Sequence, residues 1–276
     1  MIADAHIHLF RNGYTGFAGA SPLAGQTDVD AYERLMASSG VDRALVVCYE
    51  EEIAPGNNGF VRELAASRPW ISSVAHLSNS ASPSASRAAE LLAAGHSGIS
   101  LHLPDAAAVE RVEAWPAALW GRLDHARAIV SLNARPGAIA RLQPLVERTP
   151  NCAFLFAHLG LPGRVDGILS PHQAAERLAP LLKLAHLANV AVKLSGLYAV
   201  DPAPPHRTAA PLVDVLLERF PASRLHWGSD FSPVLEFAGL DQTLAVPGVA
   251  GLSAANRRLI LGDALAARLA AVRPDH

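Results

Sequence analysis

The 276-residue chain contains only two lysines and two cysteines, and its formal net charge at pH 7 is -2. No segment concentrates Lys and Arg, so neither a nucleic acid nor an anionic membrane is expected as a partner. No stretch reaches the ~18 uninterrupted apolar residues of a membrane helix, and no basic segment precedes an apolar run at the amino terminus. We therefore expect a cytoplasmic protein with a small-molecule substrate.

The two cysteines, Cys48 and Cys152, both lie in apolar, strand-like runs. Thiols in such runs are usually buried and reduced. The sequence therefore predicts neither a disulfide nor a cysteine nucleophile.

Short apolar runs alternate with amphipathic helical segments along the whole chain. Near-continuous apolar strands separated by helices indicate a parallel sheet covered on both faces, and eight such units predict a single (β/α)8 TIM-barrel domain over residues 1–276. A doubly wound open sheet is the alternative, but no Gly-x-Gly-x-x-Gly or P-loop follows a predicted strand. The predicted strands are 2–9, 41–49, 71–77, 98–103, 129–134, 152–158, 190–196 and 225–230, and the predicted helices are 28–39, 58–67, 84–94, 116–127, 137–148, 173–187, 208–220 and 254–272.

The first predicted strand carries Asp4, His6 and His8 at every second position. Alternate residues of a strand share a face, so these three side chains are expected to project together. Two imidazoles at this spacing can bind one metal ion, and zinc is common in hydrolytic sites. A pair of hydrogen-bonded structural histidines is the alternative.

Five later strands also end in polar residues. Catalytic groups of a TIM barrel lie at the carboxyl ends of its strands, and a polar group buried without a partner costs ~1–3 kcal/mol. The pattern therefore predicts one shared site at this rim. The polar residues at the six strand ends are His6, His8, Ser100, His102, Asn133, Arg135, His158, Lys193, Ser195 and Asp230.

Several of these residues lie in motifs that resemble the amidohydrolase superfamily. The motifs are Asp4-Ala-His6-Ile-His8, Phe156-Ala-His158-Leu-Gly-Leu-Pro162, Val192-Lys-Leu-Ser-Gly196 and His226-Trp-Gly-Ser-Asp230. They are most similar to the amidohydrolase-related branch, which holds lactonases of sugar or dicarboxylate lactones and decarboxylases of the aminocarboxymuconate-semialdehyde type.

The resemblance implies a metal-dependent hydrolase of the TIM-barrel type. It implies that His6, His8, His158 and Asp230 bind one divalent metal, expected to be zinc, and that Asp230 and His158 are catalytic; a hydrogen bond from His158 to the attacking water or substrate is the alternative to its role as a ligand. The family's strand-five histidine falls at or near Asn133, a poor ligand for a transition metal. The alternative is a reaction without metal, in which Asp230 activates water directly.

Other polar residues near the predicted rim are candidates for substrate binding. An Arg beyond strand five or six can hold a substrate carboxylate through two hydrogen bonds; a solvated loop arginine is the alternative for each. His102 either replaces a missing metal ligand, binds substrate or is structural, and Asp4 is expected to orient the histidines. The predicted substrate-binding residues are His102, Asn133, Arg135, Arg164 and Lys193.

The sequence and the resemblance together predict a hydrolase that opens a small carboxylated or sugar-derived lactone. One alternative is non-oxidative decarboxylation of a small unsaturated or aromatic acid at the same site. A second is a catalytically inactive barrel that serves as a binding protein. The resemblance is also compatible with a homodimer.

Overall fold

The computed structural model of the protein describes residues 1–16, 19, 21–23, 25–50 and 54–273. Eight strands form one parallel sheet, in which each strand pairs with the next along the chain. The strands are β1 Ala3–Ile7, β2 Arg43–Val47, β3 Ile71–His76, β4 Gly98–Leu103, β5 Ile129–Ala134, β6 Ala153–Phe156, β7 Val190–Leu194 and β8 Leu225–Trp227. The helices are α1 Asp28–Ser39, α2 Asn57–Ala65, α3 Arg87–Ala93, α4 Ala106–Glu113, α5 Ala117–His125, α6 Pro136–Ile139, α7 Gln143–Arg148, α8 Pro171–Leu182, α9 Ala210–Arg219, α10 Leu240–Thr243, α11 Ala254–Arg258 and α12 Ala264–Ala271.

The sheet closes into a barrel where the chain after β8 meets β1. The amide of Asp230 donates to the carbonyl of His6 (2.8 Å), and Ile7 forms a parallel bridge with Phe231. This closure brings the segment that follows β8 directly alongside the histidines of β1.

Two of the hydrophobic clusters in the described part of the chain lie on opposite faces of the sheet. One cluster joins small and branched side chains from strands on opposite sides of the barrel, among them Ala5, Leu45, Leu155 and Ala191, so it fills the interior. The other packs strand residues such as Phe154 against the surrounding helices. Side chains of the strands therefore alternate between the barrel interior and the helical layer, as the parallel pattern requires.

The predicted eight-stranded barrel is confirmed, but several predicted elements are too long. The predicted helix 137–148 is two short helices, because Pro144 lies in the first turn of α7 and cannot continue a preceding helix. The predicted terminal helix is interrupted by a π-turn, Leu259–Asp263. There, Gly262 packs against β1 so closely that a Cβ would lie 2.7 Å from the Ala3 amide nitrogen. Helix α4 is an additional element that the pattern did not predict.

The cysteine prediction is also confirmed, since Cys48 and Cys152 are free and buried. Burial raises the pKa of both thiols, so neither provides a thiolate at neutral pH. Within the described ranges, no helix is long and apolar enough to cross a membrane.

Replacement of Tyr32 by Phe tests how α1 is attached to β1. The Tyr32 hydroxyl donates to the Asp4 carboxylate (3.0 Å), and both residues are fully buried. Loss of a buried hydrogen bond to an acidic group is expected to lower the free energy of unfolding by ~1–3 kcal/mol, as measured by denaturant titration. The matched control is Tyr14→Phe, whose hydroxyl bonds Glu236 in a partly buried place. An equal loss of unfolding free energy in both variants would contradict a larger contribution of the buried Tyr32–Asp4 hydrogen bond.

Candidate active site

The two histidines of the first motif converge at the carboxyl end of β1. Their Nε2 atoms lie 3.1 Å apart, and their rings meet edge to face. His8 Nδ1 lies 2.8 Å from the carbonyl oxygen of Val47. Because a carbonyl only accepts, this nitrogen carries a proton, and in the neutral ring the lone pair is then on Nε2, which faces His6.

Asp4 does not share this face, so the prediction that all three side chains project together is wrong. The pairing register of β1 with β2 shifts between Asp4 and Ile7, which is a β-bulge or a similar irregularity and breaks simple alternation. The Asp4 carboxylate instead binds the Tyr32 hydroxyl and the amides of His6 (3.0 Å) and Ser229 (2.9 Å). Asp4 therefore holds the backbone of β1 against the segment after β8.

Asp230 lies in the segment after β8, beside His6 and His8. Its φ of 63° is in the left-handed region, which is uncommon for a residue other than glycine and often marks functional sites. Carboxylate oxygen Oδ1 lies 3.6 Å from Nε2 of both His6 and His8. Burial alone would raise the pKa of Asp230, but His158, His8 and the Tyr198 hydroxyl hold it at about 2, so the side chain is a carboxylate.

His158 follows β6 and also faces Asp230. Its Nδ1 lies 3.7 Å from Asp230 Oδ2 and 3.2 Å from the Ser195 hydroxyl. Burial lowers the pKa of His158, although the charge of Asp230 opposes this effect. Burial, together with Lys193, lowers the pKa of His6 far more, so both rings favour the neutral form that can bind metal or accept protons.

Lys193 lies deeper in the barrel than the four residues His6, His8, His158 and Asp230. It is fully buried, with Nζ 2.8 Å from the Ser131 hydroxyl and 3.2 Å from His6 Nδ1. A direct role of Lys193 in substrate binding therefore stays a prediction.

The charge of Lys193 controls which nitrogen of His6 is free. Burial lowers the pKa of Lys193 to about 7, against the opposing charges of Asp4 and Asp230. A neutral amine can accept a hydrogen bond from His6 Nδ1–H, which leaves the Nε2 lone pair toward His8 and Asp230. An ammonium instead donates to Nδ1 and places the ring proton on Nε2.

Of the remaining predicted residues, two line a cleft that reaches His158. Asn133 and Arg135 border this cleft of about 480 Å³. His102 pairs with Asn133 in the β4–β5 register, and burial, together with His76, His8 and His158, lowers its pKa to about 3. Arg164 is elsewhere: its side chain is 69% exposed and pairs with Asp166 at 3.7 Å. The structure therefore does not bring Arg164 to the site.

Two residues near this group were absent from the sequence prediction. The Tyr198 hydroxyl donates to Asp230 Oδ2 at 2.6 Å, and Ser131 binds Lys193 from inside β5. Tyr198 lies four residues beyond β7, so attention to loop residues at the same rim would have found it. Ser131 is in mid-strand, where no sequence signal distinguishes it from a structural serine.

The arrangement fits a divalent metal. His6, His158 and Asp230 each offer one ligand atom, and these atoms lie within 4.8 Å of one another. Tetrahedral ligands of zinc at ~2.0–2.1 Å from the ion are ~3.3–3.4 Å apart, close to the 3.1 and 3.6 Å separations among His6, His8 and Asp230. The bond from His8 Nδ1 to a carbonyl is the support that metal-binding histidines usually have.

Replacement of Gly196 by Ala tests the packing behind His158. Gly196 has φ 58°, and a Cβ there would lie 2.3 Å from His158 Nδ1. We expect Gly196→Ala to displace the imidazole and lower kcat/KM for the substrate by ~10²-fold. Gly40→Ala is the matched control, because Gly40 is also left-handed (φ 72°) but has open space at its Cβ. Equal activity in the two variants would contradict this packing role.

The chain belongs to the amidohydrolase family, whose model matches residues 3–269, as the motifs predicted. No curated protein matches the chain significantly. Solved structures that resemble it include a zinc-bound amidohydrolase from Burkholderia multivorans, with TM-score 0.77 and 22% identity over 98% of this chain and 99% of that one. A candidate 2-pyrone-4,6-dicarboxylic acid hydrolase from Pseudomonas putida gives TM-score 0.72 and 21% identity over 98% and 97% of the two chains. At these identities the likeness shows a shared fold.

Proposed function

We propose that the protein hydrolyses the ester bond of a small lactone at the centre formed by His6, His8, His158 and Asp230. The observation that carries this proposal is the buried Asp230 carboxylate, whose Oδ1 lies 3.6 Å from two imidazole nitrogens. A buried, ionised carboxylate beside two imidazole nitrogens is positioned to accept a proton from water.

The proposed reaction has two proton transfers, one to Asp230 and one from it. Water attacks the lactone carbonyl carbon and gives its proton to Asp230 Oδ1 as the new C–O bond forms. The ring C–O bond then breaks, and the proton passes from Asp230 to the departing alkoxide, which gives the open hydroxy acid. His158 lies 3.7 Å from Asp230 Oδ2, where it stabilises the carboxylate and can orient the substrate.

A divalent ion, which we propose to be zinc, would be held by His6, His8, His158 and Asp230. When bound, such an ion polarises the ester carbonyl and lowers the pKa of water. The zinc-bound Burkholderia protein of the same fold supports this choice. Without such an ion, Asp230 would accept the proton of the attacking water directly.

We assign the cleft beside His158 to the substrate. Arg135 can pair with a carboxylate, and Asn133 can bind a hydroxyl or a carbonyl oxygen. His102, which is neutral at its lowered pKa, offers a further uncharged hydrogen-bonding group. These side chains favour a small lactone that bears a carboxylate or hydroxyl groups. The resemblance to structures named as candidate 2-pyrone-4,6-dicarboxylic acid hydrolases supports a lactone.

The test is a panel of dicarboxylate and sugar lactones incubated with the zinc-supplemented protein. We expect at least one lactone to gain the mass of one water, detected by mass spectrometry, with acid release in a pH-stat. Evolution of carbon dioxide from a carboxylated substrate without ring opening would instead establish decarboxylation. No turnover of either kind across the panel would contradict the proposal.

A further inference from the structure

The two oxygens of the Asp230 carboxylate have different surroundings. Oδ1 lies 3.6 Å from Nε2 of both His6 and His8, whereas Oδ2 accepts a 2.6 Å hydrogen bond from the Tyr198 hydroxyl. The terminal torsion of an aspartate is broad, so stereochemistry alone does not fix the carboxylate plane. We propose that Tyr198 is a positioning residue that fixes this plane and keeps Oδ1 directed toward His6 and His8.

Tyr198 is itself held by the loops that follow β7 and β8. It lies in a 3-10 turn, Leu197–Ala199, that begins after Gly196. Its ring stacks on Phe237 with centroids 4.5 Å apart and an interplanar angle of 7°. The position of the hydroxyl is therefore set by two loops and not by a freely rotating side chain. A donor anchored in this way can hold the carboxylate against rotation.

This arrangement assigns different tasks to the two oxygens. The phenol occupies one lone-pair direction of Oδ2, and His158 Nδ1 lies 3.7 Å from the same oxygen. Oδ1 is left as the acceptor that faces the imidazoles, where the proposed function places the attacking water. The inference rests on that proposed function for its kinetic consequence, although the orientation of the carboxylate is a separate structural statement.

Replacement of Tyr198 by Phe keeps the ring and its stacking on Phe237 but removes the hydroxyl. We expect kcat for the lactone turned over by the wild type to fall ~10- to 100-fold, because a misplaced catalytic group is costly even at ~1 Å. KM is expected to change by less than about twofold, since the Tyr198 hydroxyl binds Asp230 and not the substrate. Thr149→Val, which removes a buried hydroxyl that donates to the carbonyl of Leu145, is the control and is expected to keep both constants.

Crystal structures of the wild type and Tyr198→Phe give a readout that needs no substrate. We expect the variant's carboxylate to rotate, so that no oxygen remains equally close to Nε2 of His6 and His8. An unmoved carboxylate with kcat within about twofold of wild type would overturn the inference, as would a raised KM with unchanged kcat. If the wild type opens no lactone, the proposed function fails, while the orientation of the carboxylate still decides the role of Tyr198.

Discussion

Replacement of Asp230 by Asn is expected to lower kcat/KM for lactone hydrolysis by ~10²–10⁴-fold, or ~3–5 kcal/mol of transition-state stabilisation. An amide cannot accept the proton from water, and it also removes the negative charge beside His158 and His8. The backbone should tolerate the change, because Asn adopts the left-handed conformation of this position (φ 63°) more readily than most residues. The measurement is steady-state kinetics on the lactone turned over fastest by the wild type.

The matched control is Asp124→Asn at the other end of the barrel. Asp124 accepts hydrogen bonds from the amides of Asn151 (2.7 Å) and Cys152 (3.3 Å), just before β6. The Asp124→Asn variant is expected to be less stable than the wild type and to keep its turnover. Wild-type kinetic constants in Asp230→Asn would show that Asp230 takes no part in the reaction, whatever the effect of Asp124→Asn.

Replacement of His6 by Gln is expected to remove both metal binding and hydrolysis. His6 Nε2 lies 3.1 Å from His8 Nε2 and 3.6 Å from Asp230 Oδ1, so it is central to the proposed ligand set. Loss of a supporting residue alone weakens metal sites ~10- to 100-fold, and loss of a direct ligand should weaken zinc binding by at least ~10²-fold. Elemental analysis after dialysis against a zinc buffer gives the stoichiometry.

His96→Gln is the control for loss of a buried histidine. His96 bonds the Ser73 hydroxyl at 2.9 Å. It is therefore expected to retain the zinc content of the wild type. Equal zinc in the wild type and in His6→Gln would show that His6 is not a ligand. An absence of zinc from the wild type, with lactone hydrolysis intact, would support the reaction in which Asp230 activates water directly.

The sequence was sufficient to predict the barrel and to select the four residues that converge. His6, His8, His158 and Asp230 follow apolar strands that the pattern places in parallel, and the carboxyl ends of such strands share one rim. The alternation rule indicates which residues of a strand share a face, and the barrel rule indicates which end of the strands is functional. The match to the family model, over residues 3–269, covers all four residues.

The sequence was insufficient where contacts between distant segments decide the outcome. The register shift in β1 turns Asp4 toward Tyr32, and it accompanies closure against the segment after β8. The position of Lys193 inside the barrel depends on its contacts with Ser131 and His6, which lie in two other strands. Tyr198 lies in the loop after β7, stacks its ring on Phe237 and bonds Asp230 in the segment after β8. None of these contacts has a periodic signal in the linear chain.

A double-mutant cycle on kcat/KM between His6→Gln and Asp230→Asn tests most directly whether these residues form one reaction centre. Groups that act as a unit give strongly non-additive losses. We predict that the double variant hydrolyses the lactone within about tenfold of the slower single variant. Losses that multiply in full would contradict the account, because they would mean that His6 and Asp230 act independently.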